Sequence, residues 1–182
     1  MKKIVGALFC FILCTSIKAV GQELYSEKEL GTISPAISKI TEQEAKEPAI
    51  ILFDKVFIEH TLDNKQNLHR YFTRKKRVHL NENVAIEQFN RIFLPIESSE
   101  QLVSVKAVAI SKNAQLKEVG KENIKEIEED GVPYKILAIE GLEEGGELEY
   151  YFCIKQDPRF YGSEKIQGST FIRDYQLTLI SP

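Results

Sequence analysis

The one thiol outside the first 21 residues is Cys153, in the stretch GLEEGGELEYYFCIK (141–155), and three histidines, His60, His69 and His79, are the candidates to activate it. A cysteine becomes a nucleophile when an imidazole, a cation or a helix N-terminus lowers its pKa. With the two-residue period of a strand, Leu148, Tyr150, Phe152 and Ile154 share one face; Glu147, Glu149, Tyr151, Cys153 and Lys155 share the other. Cys153 therefore falls mid-strand on the more polar side, with no glycine elbow or helix start beside it. The expectation is a packed, unreactive thiol rather than a catalytic one. His69 and His79 alternate with Tyr71, Thr73, Lys75 and Arg77 on a basic segment. Such a face is expected to meet water. His60 ends its own segment next to a turn.

Three further chemistries are weaker. No Cys or His pair has the short spacing of a structural zinc site, so no metal is expected. Glu140, Glu143, Glu144, Glu147 and Glu149 cluster in one hairpin. A glycosidase needs two carboxylates facing each other across a cleft, so a solvated tip is the reading here. The run RYFTRKKR interleaves aromatics with cations as nucleic-acid readers do, but the chain is acidic overall, and no nucleic-acid partner or other cofactor is expected. The run is instead expected to pair with the acid-rich segment from Glu118 to Asp130, or to protect an edge strand.

The elements that must position these residues follow from the pattern. Met1-Lys2-Lys3, an apolar run from Ile4 to Ile17 and small residues at Ala19-Val20-Gly21 have the layout of a cleaved secretory leader, residues 1–21. The run is shorter than a spanning helix, so no stable membrane anchor is expected and the chain is read as exported, to the periplasm or the cell surface. Cleavage takes Lys2, Lys3 and Lys18, reducing 24 basic residues to 21 against 27 acidic ones, and leaves Cys153 without a disulfide partner. Residues 22–47 read as a helical arm: Ser34-Pro35 resembles an N-cap with proline at the first helical position, and Ile33, Ile37 and Ile40 follow at helical spacing.

From Ala49 the period becomes two. AIILFDKVFIEHTL and LHRYFTRKKRVHL flank the turn formers Asp63 to Asn67 and predict an antiparallel hairpin. VAIEQFNRIFLPI reads as an extended segment ending near Pro95, and LVSVKAVAIS as a clean strand. LKEVGKENIKEIEED stays open between an edge strand and a short helix. Asp130-Gly131 signals a turn. YKILAIEGL and ELEYYFCIK then flank Gly145-Gly146 as two arms of a hairpin, and STFIRDYQLTLIS closes as one strand. The fold class expected is all-β, an antiparallel β-sandwich over residues 48–182 with a short N-terminal helix.

Four stretches, EPAIILFDKVFIEH, LHRYFTRKKRVHL, LVSVKAVAISKNAQL and GLEEGGELEYYF, together with the closing FIRDYQLTLISP, resemble the N-terminal domain of unknown function that precedes a transglutaminase-like core in exported bacterial proteins. The likeness runs from about Pro48 to Pro182 and lies in strands and turns, not in catalytic residues. Lys112-Asn113-Ala114-Gln115 and Glu144-Gly145-Gly146 depart from the family's usual turns but keep turn chemistry. The resemblance implies a non-catalytic accessory domain that supports or docks substrate for a transglutaminase/protease-like core, in cis or in trans. No catalytic residue carries over, because His60, His69 and His79 all precede Cys153, whereas the family's core has the order Cys–His–Asp. A stand-alone peptide- or glycan-binding module is the second reading. The expected interaction surface uses Tyr151 and Tyr175.

Overall fold

The computed structural model describes residues 24 to 182 except 98, 130, 131 and 160. The proposed leader and the Asp130-Gly131 turn lie outside the described residues. Ten strands form two sheets: β1 (Ala49–Leu62), β2 (Leu68–Leu80), β3 (Arg91–Leu94), β4 (Gln101–Ile110), β5 (Leu116–Val119), β6 (Ile124–Glu129), β7 (Val132–Ala138), β8 (Glu147–Gln156), β9 (Phe171–Ile172) and β10 (Tyr175–Ile180). The short helices α1 (Tyr25–Leu30) and α2 (Asn83–Phe89) and two 3-10 turns complete the chain. The large sheet runs β10-β1-β2-β8-β4-β5, with β9 also on β1; the small one runs β3-β7-β6. The all-β class follows directly.

β1 and β2 form the long antiparallel hairpin expected of them, Leu62 opposite Leu68. A bulge between Ile51 and Phe53 reverses the parity of β1, so Ala49 and Ile51 share a face with Val56 rather than opposing it. β1 is covered on both sides, since Val56 and Phe57 are each fully buried. β10 lies parallel to β1, with Asp54 opposite Tyr175, which makes the large sheet mixed rather than purely antiparallel.

The small sheet packs on one face of the large one. Between them Val56, Phe72, Ala107, Leu148, Phe152 and Ile154 meet Ile92, Leu94, Leu137 and Ile139. Each of the large apolar side chains among them contributes roughly 1.5–3 kcal/mol on burial. A smaller cluster, Ala49, Ile51, Val78, Leu80 and Ala85, seats α2 on the end of the hairpin.

Four expectations are corrected. Residues 83–89 are helical, because Ala85, Ile86 and Phe89 turn one apolar face onto that cluster; only Arg91–Leu94 is extended. β7 does not pair with β8: it lies between β3 and β6, and residues 139–146 carry the chain across to the large sheet, where β8 fits between β2 and β4. The closing segment breaks at Arg173-Asp174, where the Arg173 N–H donates to the Ile51 carbonyl and the Asp54 N–H donates to the Asp174 carbonyl. Finally, Ser34-Pro35 starts no helix. The segment 31–40 is irregular, and the short helix of this region is α1, upstream of it.

Candidate functional site

The second face of the large sheet explains why the 31–40 segment is not helical. Odd-numbered residues of β2 and β8 stand directly opposite one another: Thr73 with Cys153, Lys75 with Tyr151, Arg77 with Glu149, His79 with Glu147. Far from meeting water, this face is roofed by residues 24–38. Arg77 is 6% exposed, Glu147 1% and Glu149 2%. The Arg77 guanidinium donates to Glu147 and, at 3.1 Å, to Glu149, and also to the carbonyls of Ser34 and Ala36. Lys75 pairs with Glu149 at 3.1 Å and donates to the Leu30 carbonyl. The Ser38 N–H donates to Glu147 at 2.7 Å. Backbone groups that a helix would have used internally are engaged by buried charges instead.

At the other end, Glu59 accepts from the N–H groups of Tyr25 and Ser26 at 2.6 and 3.0 Å, satisfying free donors at the start of α1. Two sequence expectations therefore fail together. The basic face is interior, and its acidic partners are Glu147 and Glu149, not the Glu118 to Asp130 segment. β2 is also an inner strand, so the cations protect no edge.

Cys153 sits within this covered layer, 2% exposed. Burial pushes its thiol pKa up; the Thr73 hydrogen bond opposes this, and the charges of Glu27 and Glu59 add to the rise. No histidine stands opposite it. His79 bonds Glu147 at 3.2 Å and lies six residues along β2 from Thr73, about 20 Å at strand rise. His69 bonds Asp63 at 3.1 Å, and His60 faces Arg70 across the hairpin.

The two tyrosines expected to form one surface are on opposite faces. Tyr151 shares the Lys75 and Lys106 side of the large sheet and is half-buried at a small cleft of about 350 Å³ with Lys106, Glu118 and Gly120. Tyr175 lies beside Asp54 on the side of the small sheet, packs on the main core, and keeps a buried hydroxyl without a hydrogen-bond partner.

A second concave feature is a groove of about 550 Å³ between the sheets. Its floor is Phe72, Phe152 and Tyr150; α2 and β3 supply Phe89, Arg91, Ile92 and Phe93; Arg70, Arg74, Gln156 and Arg159 complete the rim with Glu164. Beneath it, buried Asp54 holds Arg74 through two bonds of 2.8 and 2.5 Å and Lys76 at 2.9 Å. Arg159 is held by Glu97 and Glu100 at 2.7 and 3.0 Å. Arg70 is not tied down in this way. It lies over the Phe72 ring at 5.9 Å, with no ion pair among the described residues. Burial lowers its pKa and the neighbouring Arg159 charge lowers it further, against a smaller opposing effect of the Glu100 and Glu164 charges. Directly opposite, Gln156 is 9% exposed and its buried Oε1 accepts nothing. An unmade buried hydrogen bond of this kind costs about 1–3 kcal/mol, so the Gln156 Oε1 is an acceptor for a donor from a ligand or from water.

These groove residues were not singled out from sequence. The signal available was RIFL, where Arg91 and Phe93 alternate outward against buried Ile92 and Leu94. Among the described residues no group of three or more His, Cys, Asp or Glu is arranged to hold a metal ion, and no helix is long and apolar enough to cross a membrane.

No protein-family profile matches the chain, and no curated protein matches it. Among solved structures it is similar to a "putative protease" from Parabacteroides distasonis, with 13% identity and a TM-score of 0.56. The match covers 73% of this chain and 29% of that one, a likeness of fold to part of a longer protein.

Proposed function

We propose that this chain is an exported, non-catalytic accessory domain of a transglutaminase/protease-like protein, supporting or docking substrate for a core that lies in cis or in trans. The observation that carries the non-catalytic part is the setting of Cys153, which is roofed by residues 24–38, faces Thr73, and has no imidazole in reach. Association with a larger hydrolase is supported by the shared fold with under a third of the Parabacteroides chain. Export rests on the leader pattern of residues 1–21. The second reading, a stand-alone peptide- or glycan-binding module, is favoured by the groove, which is larger than the Tyr151 cleft and carries groups with no internal partner.

The test is chemical. A thiol-specific alkylating probe at neutral pH is expected to leave the native protein unmodified and to label Cys153 only in denaturant. Peptide hydrolysis and amine-transfer assays are expected to show no turnover. Turnover that disappears in Cys153→Ser would overturn the proposal.

A further inference from the structure

The groove between the sheets has an edge as well as a floor. Arg91, Ile92 and Phe93 are consecutive, and consecutive strand residues point to opposite faces. All three can line one cavity only if β3 turns its edge toward it. Among the described residues β3 is the outer strand of the small sheet and pairs with β7 alone, so no strand covers that edge. An open edge beside a cavity is the geometry in which an extended peptide adds to a sheet as a further strand.

The polar groups of the groove select the same class of ligand. Arg70 and Gln156 are directly opposed on β2 and β8 and so project side by side. The Arg70 guanidinium is steadied by the Phe72 ring beneath it, and its N–H donors have no acceptor among the described residues. A planar fork of donors fits a carboxylate in two parallel bonds. Burial and the adjacent Arg159 charge disfavour the Arg70 cation, the charges of Glu100 and Glu164 offset this only in part, and a bound anion relieves the remainder. The Gln156 Oε1 needs a donor, which a carboxylate cannot supply and a peptide N–H can. Phe72, Phe152, Phe89 and Ile92 offer an apolar bed for the side chain beside the charge. The volume, about 550 Å³, is within the range of small-ligand sites.

We infer that this groove binds an extended peptide segment bearing a carboxylate, which pairs with Arg70 while the peptide backbone runs along β3 and meets Gln156. The inference deepens the accessory-domain reading and rests on it for the meaning of the bound peptide as substrate or partner strand.

The test is a fluorescence-anisotropy titration with three dye-labelled tetrapeptides of β-branched residues ending in leucine. One has a free C-terminal carboxylate, one is its amide, and one is the amide with a glutamate in place of its third residue. The two acids distinguish a chain terminus from an acidic side chain. At least one acid is expected to bind about tenfold or more tightly than the neutral amide, the difference one charge-assisted hydrogen bond makes. In Arg70→Gln that preference is expected to vanish with unchanged unfolding behaviour, and the exposed-lip variant Arg91→Gln is expected to weaken the acids alone. Equal binding of acid and amide by the native protein would overturn the inference, whether or not the variants fold. So would an acid preference that survives in folded Arg70→Gln, or binding of tetragalacturonate with none of the peptides. Cleavage of a bound peptide would sink the non-catalytic reading and leave the groove assignment standing.

Discussion

Replacing Arg77 by methionine keeps most of the side chain's stem and removes the charge that joins the N-terminal segment to the large sheet. Glu147 and Glu149 would then remain almost fully enclosed without their principal cation. Removing one partner of a buried ion pair costs about 3–5 kcal/mol. Lys75 still reaches Glu149 at 3.1 Å and His79 reaches Glu147 at 3.2 Å, which places the loss toward the lower end of that range. At about 2–4 °C per kcal/mol for a chain of this size, the expected fall in Tm is about 6–12 °C. The carbonyls of Ser34 and Ala36 lose their donor at the same time. Limited proteolysis is therefore expected to cut between residues 31 and 40 before the rest of the domain yields. Adding Glu147→Gln should restore part of the stability, because the stranded charge goes while Ser38 keeps an acceptor and Lys75 keeps Glu149. Urea unfolding of the three proteins decides the matter. A loss under about 1 kcal/mol in Arg77→Met would refute the claim that buried charge fastens this segment. Failure of the double variant to improve on the single one would refute it equally.

Two further outcomes are expected. Burial alone would raise the Glu147 pKa, but the hydrogen bonds from His79 and the Ser38 N–H, with the Arg77 charge, outweigh it and hold the carboxyl below its ordinary value. A carboxyl depressed in the folded state stabilises above its unfolded pKa and loses that contribution as pH falls through the folded one, so the urea midpoint should rise from about pH 3 to about pH 5. A midpoint that falls with pH across this window would contradict the assignment. Gly146→Ala places a Cβ 2.7 Å from the Ile110 carbonyl oxygen and 3.0 Å from that of Glu143. It should cost about 1–3 kcal/mol in urea unfolding, whereas Gly162→Ala, with nothing within 4 Å, should leave the midpoint unchanged.

The long strands were legible because each is a run of ten or more residues rich in strand formers, as β1, β2, β4 and β8 are. The division of β8 into a Leu148–Tyr150–Phe152–Ile154 face and a Cys153 face was likewise readable. What covers the second face was not. The carbonyls that engage Arg77 lie about forty residues upstream, a separation that periodicity does not sense. Charged residues on an alternating strand look solvated until a distant segment is laid over them. The supposed hairpin of β7 and β8 failed for a similar reason, since neighbours in sequence usually pair in a sheet but here the intervening loop changes sheets. α2 was missed because seven residues with Ala85, Ile86 and Phe89 fit a helix face as well as a strand. The groove combines β2, β3, α2 and β8, so neither Arg70 nor Gln156 could announce its opposite number in advance.

The parallel alignment of Asp54 with Tyr175 has a bearing on how the domain is made. During synthesis β1 and β2 emerge early and can zip together at once, while the flank of β1 that β10 will occupy stays bare until nearly every other strand has left the ribosome. That flank cannot close before β10 is made, and until then β1 presents a long ribbon able to recruit a stranger's strand.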